Sequence, residues 1–383
     1  MIYLDYNATT PLCDAARDAM LPYLNRHYGN PSSIHAAGRE ARAAVDNARD
    51  KLAALLQVKS GEIIFTSGAT ESCNLAVFGL ARSSSSDGSH IISNKAEHSA
   101  VLNPIEHLEK RENFEVTWLN VSDNGMVDLD QLADSIRPDT RLVSIMTANN
   151  ETGVIQPMRE ISHICRERCV LLHSDMVQAF GKTDVDVSLV DIASFAAHKF
   201  YGPKGTGFLC LRSGLPIQPI MFGGAHENRR RPGTENVASI AAMAAAAEWV
   251  SSDRETEQER RARLRDQLWK SIADVFPDAR QNGDPVGRLT NTLNLSFTGI
   301  DSETMLMALD LEGICASSGS ACMVGSVRAS HVLLAMGLTI ERARSAIRFS
   351  LGTWTTAEEI AGAAEALERI AKRTKDAREY ALA

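Results

Sequence analysis

The amino-acid sequence predicts an α/β protein, a mostly parallel sheet in a large domain accompanied by a smaller α+β domain. Two observations point that way. Between about residues 40 and 276, helical segments alternate with short β-branched apolar runs, the pattern of a sheet with helices on both faces. Beyond residue 250 the charge rises sharply, and the last third mixes a few strands with longer helices. The length of 383 residues suits roughly two to three domains, and 44% hydrophobic content is ample for their cores.

The apolar runs are EIIF (62–65), HII (90–92), FEVTWL (114–119), RLVSIM (141–146), VLL (170–172), DIASF (191–195) and GFLCL (207–211), each short enough to be a buried strand. SSSSDGS at 83–89 is the one low-complexity patch and reads as a surface loop. Over 251–275, Leu264, Leu268, Ile272 and Val275 keep a helical spacing among charges, which predicts an amphipathic helix leading into the second unit. The expected division is therefore a large domain over 16–252 and a small one made of 1–15 and 253–383. In the latter, NTLNLSF reads as a strand, 302–311 as a helix, AIRFSL as a further strand, and the carboxy-terminal stretch as a long helix.

Composition excludes some classes of function. A formal charge of −8 argues against general affinity for nucleic acid or anionic lipid, both of which are held by basic surface. Arg229, Arg230 and Arg231 form a basic run, but Glu227 and Glu235 flank it. No basic stretch followed by an apolar one opens the chain, so no signal peptide is expected, and the alanine-rich stretch 237–247 is too short to span a bilayer. Seven scattered cysteines without a secretion signal predict a reduced, cytoplasmic setting. Cys165 and Cys169 fall four apart on an expected helix, yet nothing nearby completes a metal site, and no metal is expected.

In open α/β sheets, ligands bind outside the carboxyl ends of the strands. The residues that follow each run are therefore the informative ones. After EIIF comes TSGATES, where Gly68 allows a tight turn and Thr70 and Glu71 open a helix whose free amides suit a phosphate. His98 follows HII, Asn149 and Asn150 follow RLVSIM, and Asp175 and Gln178 follow VLL. His198 and Lys199 follow DIASF, ahead of the glycine-rich GPKGTG. Singly, each has an ordinary structural explanation. Together they have a chemical one: a lysine forms a Schiff base with an aldehyde cofactor, a carboxylate keeps a pyridine nitrogen protonated, and a helix amino terminus takes a phosphate. These are the parts of a pyridoxal 5′-phosphate site, to which an imidazole adds ring stacking and an amide a hydrogen bond to the ring oxygen.

The stretches YLDYNATTP, GNPSSIH, SGATES, AEHSAV, NNETG, HSDMVQAFGK, AAHKFYGPKGTG, RPGTEN, SSGSAC and IRFSLG resemble, in order and spacing, the motifs of the cysteine desulfurases of the nitrogen-fixation and iron–sulfur-assembly type. The resemblance spans residues 3–360 and implies the fold of the class V aminotransferases, the fold-type I group of pyridoxal-phosphate enzymes. It implies Lys199 as the Schiff-base lysine, Asp175 as the pyridinium partner, Gln178 and Asn150 as ring-oxygen and substrate-side ligands, and His98 as a ring-stacking residue that also relays protons. Ala69, Thr70 and His198 would line the phosphate. Thr234 would reach the phosphate of a neighbouring subunit, which implies a homodimer. Arg348 would clamp the substrate carboxylate, for which a planar guanidinium is suited. Cys322, in ASSGSACMVGS, would be the nucleophile that takes sulfur from L-cysteine as a persulfide, leaving alanine. A sulfur-acceptor protein would then receive it, for iron–sulfur cluster assembly or thiolation. Two alternatives stay open on sequence alone. One is a selenocysteine lyase or another class V lyase or aminotransferase; the other is a non-catalytic sulfur carrier or scaffold-binding protein on a decayed fold.

Overall fold

The computed structural model describes residues 1–83, 89–319 and 329–382, with side chains through residue 373. The chain opens with β1 (Ile2–Tyr3), α1 (Asp14–Asn25) and α2 (Ala36–Leu56). Seven strands then form the central sheet: β2 (Ile63–Thr66), β3 (His90–Asn94), β4 (Glu115–Leu119), β5 (Thr140–Ser144), β6 (Leu171–Asp175), β7 (Ile192–Ala196) and β8 (Gly207–Leu211). Between successive strands from β2 to β6 lie α3 (Ala69–Ala81), α4 (Ser99–Arg111), α5 (Leu129–Ser135) and α6 (Met158–Glu167). After the sheet come α7 (Val237–Ser252), α8 (Arg254–Val275), β9 (Arg280–Gln281), β10 (Thr292–Ser296), α9 (Ser302–Leu311) and β11 (Ile314–Cys315). The described chain closes with α10 (His331–Ala335), α11 (Ile340–Arg344), β12 (Ala346–Ser350) and α12 (Ala357–Leu382).

The strand order is β2-β8-β7-β6-β5-β3-β4. All pairings from β4 to β7 are parallel, whereas β8 runs antiparallel to both β7 and β2. Because β8 alone is reversed, its beginning lies at the edge where the other strands end. That edge therefore gathers the turns after β2, β3, β5, β6 and β7 together with the segment leading into β8.

The apolar runs are continuous because both sheet faces are covered. Ile63, Phe65, Ile92, Val143, Ala193, Phe195 and Phe208 pack into one core with α1, α2, α6 and α7. Their neighbours Ile64, Ile91, Leu142, Ile192 and Leu209 turn to the opposite face, under α3 and α4. Full burial of an Ile, Leu or Phe contributes about 1.5–3 kcal/mol, so alternate residues of one strand stabilise two layers at once. A separate core joins Leu264, Leu268 and Ile272 of α8 to Leu293, Leu295, Ile347 and Phe349 of β10 and β12 and to Ile360, Ala363 and Leu367 of α12. Leu4 is buried in this second core, while Tyr6, two residues on, belongs to the first.

Two expectations are corrected. Cys169 does not share a helix with Cys165: α6 ends at Glu167, Cys169 has φ 56° and is exposed, while Cys165 is buried. The turn that releases Val170 into β6 thus takes Cys169 out of helical register with Cys165. The charged helix begins at Arg254 rather than 251, because Asp253 leaves helical geometry and separates α7 from α8. Among the described residues no helix is long and apolar enough to cross a membrane, and no group of three or more His, Cys, Asp or Glu is placed to hold a metal.

Candidate active site

A cavity of about 570 Å³ opens at the edge where the parallel strands end. It is lined by Gly68, Ala69 and Thr70 after β2, His98 after β3, Asn150 after β5, Asp175 and Gln178 at the end of β6, and His198 and Lys199 after β7. Lys204, Gly205 and Thr206, which lead into β8, complete this rim, and Arg348 enters from β12. Thus nine sequence-predicted residues and the phosphate-type turn converge in one place. A second hollow, about 490 Å³, lies at the opposite sheet edge. Three of its charged side chains are already engaged, Asp191 with Arg212 at 2.7 Å and Glu62 with the backbone amides of Ser213 and Lys59.

Lys199 sits in a 3₁₀ turn, Ala197–Lys199, directly after β7. Its Nζ donates to the carbonyls of Asn7 and Ala8, each at 2.7 Å. Asp175 is buried, and its Oδ1 accepts from the Val177 amide at 2.9 Å. Among the described residues its other oxygen meets only the Cys73 thiol, at 3.8 Å. Burial raises the Asp175 carboxyl above the usual carboxylate range, and the charges of His98 and Lys199 pull the other way. A buried carboxylate with so weak a second contact favours a cationic N–H beside it.

His98 caps α4: its Nδ1 accepts from the Ala100 amide at 3.1 Å. Burial lowers its imidazole pKa, and the neutral ring, with Nδ1 used as acceptor, carries its proton on Nε2. The other imidazole, His198, is pushed down to about 4 by burial and by the neighbouring lysines, and its Nδ1 lies 3.2 Å from the Thr9 hydroxyl. Among the described residues the buried Asn150 side-chain oxygen has no hydrogen-bond partner.

The anion-binding turn follows from two glycines. Gly68, at φ 146°, lies two residues past β2 and starts α3 with no side-chain cap, so the first amides of α3 stay open. Gly207 lets β8 pass against it: a Cβ there would stand 2.4 Å from the Phe195 carbonyl and 2.8 Å from the Gly68 Cα. Glu71, in the first turn, is neutralised by Arg231 at 2.8 Å. The arginine run of 229–231 thus faces inward at one member. Thr234 lies on an exposed loop outside the main cavity, beside a smaller hollow shared with Ser67 and Gly205.

Arg348 is almost wholly buried, with 3% of its side chain exposed. Its guanidinium donates to Asp5 at 2.7 Å and to the Asn150 carbonyl at 2.9 Å, and among the described residues its Nε has no partner. Its backbone pairs with Ser317, at the start of SSGSAC, and Gly319 reaches the cavity. Cys322 itself lies outside the described residues.

Sequence reasoning missed the segment that holds the site together. YLDYNATTP carries the resemblance without an assigned role, yet Asn7, Ala8 and Thr9 line the cavity. The Asn7 amide nitrogen donates to Ser350 Oγ at 2.9 Å, and its side chain bonds Thr292, Asn291 and Lys182. Lys182, buried beside Gln178, was likewise unassigned. Their signal in the sequence is no more than polar residues within YLDYNATTP and HSDMVQAFGK.

An open helix amino terminus, a carboxylate awaiting a cationic N–H, a lysine at the cavity wall and an orphaned amide oxygen fit pyridoxal 5′-phosphate in charge and donor set. The family model for the aminotransferase class-V proteins matches residues 2–362, and the chain belongs to that family. Its members use pyridoxal 5′-phosphate. Within the class the chain groups with the cysteine desulfurases. A cysteine desulfurase IscS of Dictyoglomus turgidum is 46% identical over 99% of this chain and 96% of its own length. One of Methanosarcina thermophila is 42% identical over 98% and 93%. Among solved structures, a NifS-like protein superposes with a TM-score of 0.90 at 36% identity, covering 96% of this chain and 98% of that one. A NifS-like protein from Rickettsia africae gives 0.86 at 33%, covering 97% and 99%.

Proposed function

We propose that the chain is a cysteine desulfurase that converts L-cysteine to L-alanine and takes the sulfur onto Cys322 as a persulfide for delivery to an acceptor. The observation that carries this reading is one cavity holding Lys199, Asp175, His98 and Arg348, with Gly319 at its wall three residues before Cys322. Pyridoxal 5′-phosphate, bound there, supplies an electron sink that weakens the Cβ–S bond of the substrate.

The residues act as follows. The first amides of α3, at Ala69 and Thr70, with His198 nearby, would hold the phosphate. Asp175 would pair with the ring nitrogen, Gln178 with the ring oxygen, and His98 would stack on the ring. Arg348 binds the substrate carboxylate, its unpartnered Nε and fixed plane suiting a bidentate contact, with Asn150 beside it. Lys199 removes and returns the substrate proton from between the Asn7 and Ala8 carbonyls, and His98, with its proton on Nε2, is the second proton carrier. The Cys322 thiolate forms an S–S bond as the substrate Cβ–S bond breaks. The electron pair stays with the carbon fragment, which leaves as alanine after protonation.

Residues 16–252 are proposed as the cofactor-binding domain, and 1–15 with 253–383 as the domain carrying the cysteine loop. A homodimer is proposed, with Thr234 completing the neighbour's phosphate site. Ile34 and Phe222 are each 90% exposed, on loops joined by a Ser32–His226 contact of 3.2 Å, and a second copy would cover them. The acceptor is an iron–sulfur assembly or thiolation protein, and the setting is the reducing cytoplasm.

The test measures alanine released from L-cysteine by the native chain and by Cys322→Ala. Loss of alanine formation with the cofactor still bound supports the reading. Alanine at the native rate would overturn the persulfide step and leave a lyase that releases sulfur directly.

A further inference from the structure

We propose that Lys182 is a positioning residue for the cofactor: it holds the Gln178 amide so that an N–H, and not the carbonyl oxygen, faces the ring's anionic oxygen. This inference rests on the pyridoxal-phosphate reading above and adds to it a residue four positions beyond Gln178.

Lys182 is 4% exposed, at the end of HSDMVQAFGK. Its Nζ donates to Gln178 Oε1 and, at 3.1 Å, to Asn7 Oδ1. Both described partners are neutral amide oxygens, an unusual place for an amine, since a buried ammonium is ordinarily matched by a carboxylate. Burial, with Lys199, Arg261 and Arg348 nearby, holds the amine well below the usual lysine range. Two of its N–H groups are directed at these two acceptors. An apolar side chain would fill the same space at lower cost, so what the amine adds is direction.

The direction matters because the two ends of a carboxamide have the same shape and opposite hydrogen-bonding character. Gln178 is gripped on both sides. Lys182 meets Oε1 with a donor, and the Asn7 carbonyl, acceptor only, takes an N–H from Nε2 at 3.0 Å. One Nε2 hydrogen therefore has no acceptor among the described residues, and Gln178 lines the cavity. With Oε1 held toward Lys182, that hydrogen is what the site presents to the deprotonated ring oxygen. A flipped amide would set a carbonyl oxygen against that negative charge.

The experiment compares the full-length protein with Lys182→Met, Gln178→Leu and the double variant. Two quantities are read: the dissociation constant of pyridoxal 5′-phosphate from the apoprotein by equilibrium dialysis, and the pH midpoint of the bound cofactor's visible absorbance. Each single change is expected to weaken binding by on the order of tenfold, as for one hydrogen bond to a charged oxygen, and to move the midpoint in the same direction. The double variant should be no worse than either single. Lys182→Gln, which keeps a donor amide one bond shorter, should recover part of both and serves if the Met variant fails to fold. Native affinity and midpoint in Lys182→Met, beside a changed Gln178→Leu, would overturn the proposal, as would losses that multiply in the double variant. A Gln178→Leu protein that behaves as native would overturn the role of Gln178, and that of Lys182 with it. Failure of the native apoprotein to take up the cofactor would instead remove the functional reading on which both stand.

Discussion

Arg348 shows how one side chain can be both fixed and available. Asp5 and the Asn150 carbonyl hold its plane from two sides, and Asp5 is itself partly exposed, so a substrate carboxylate meets a guanidinium already oriented. Replacing Arg348 with Ala should raise KM for L-cysteine by about 10- to 100-fold, the scale of charged hydrogen bonds, with a smaller change in kcat. Asp5→Asn should raise KM less, by loosening the plane while leaving the charge. Steady-state kinetics separates the two, and an unchanged KM in Arg348→Ala would place the carboxylate elsewhere. Arg348 lies within β12 and was legible only through the family resemblance, whereas His98, Asp175 and Lys199 were legible because they come at the ends of apolar runs and bear distinctive chemistry. Asn7 and Ala8 were not, because what they give Lys199 is backbone carbonyl oxygen, which no residue type announces.

At the scale of elements, the runs read as strands were recovered nearly in place, GFLCL without any change, since burial on both faces leaves an uninterrupted apolar signature. The direction of β8 was not legible. An apolar run carries no sign of parallel or antiparallel pairing, and here the reversal is what brings GPKGTG to the cavity. The end of α6 was misjudged for a related reason: Cys169 keeps helical spacing from Cys165, but the helix ends at Glu167 and the chain turns through Arg168 and the left-handed Cys169. The close pass of β8 over Gly68 gives a sharp expectation. Gly207→Ala, whose new methyl would collide with two backbone groups, should destabilise the protein by about 1–3 kcal/mol and also weaken phosphate anchoring. Urea unfolding of the apoprotein and cofactor dialysis measure the two effects. A variant with native values of both would show that the turn tolerates displacement.

For the molecule as a whole, a buried acid links stability to pH. Glu97 is fully buried, one of its oxygens has no partner among the described residues, and burial pushes its carboxyl up to about 8. The folded protein therefore keeps a proton that the unfolded chain releases near its ordinary value of 4.5, and this contribution to stability declines as pH rises from about 4.5 toward 8. Glu97→Gln removes the titration. It should stabilise the protein at pH 9 by roughly 2–4 kcal/mol relative to the native chain and converge with it near pH 4. Parallel pH curves for the two proteins would show that Glu97 is already ionised when folded. The Asn7 junction has a consequence for how the protein is made. Asn7 is fastened to Ser350 and Thr292, and Lys199 in turn rests on Asn7, so residues synthesised first wait for residues synthesised near the end. On the ribosome, the central sheet can form long before its lysine acquires those carbonyl rests. Cofactor capture should therefore be a late event in biosynthesis, after some nine-tenths of the chain has emerged, and nascent chains truncated before β12 should retain little pyridoxal 5′-phosphate however well their sheet has folded.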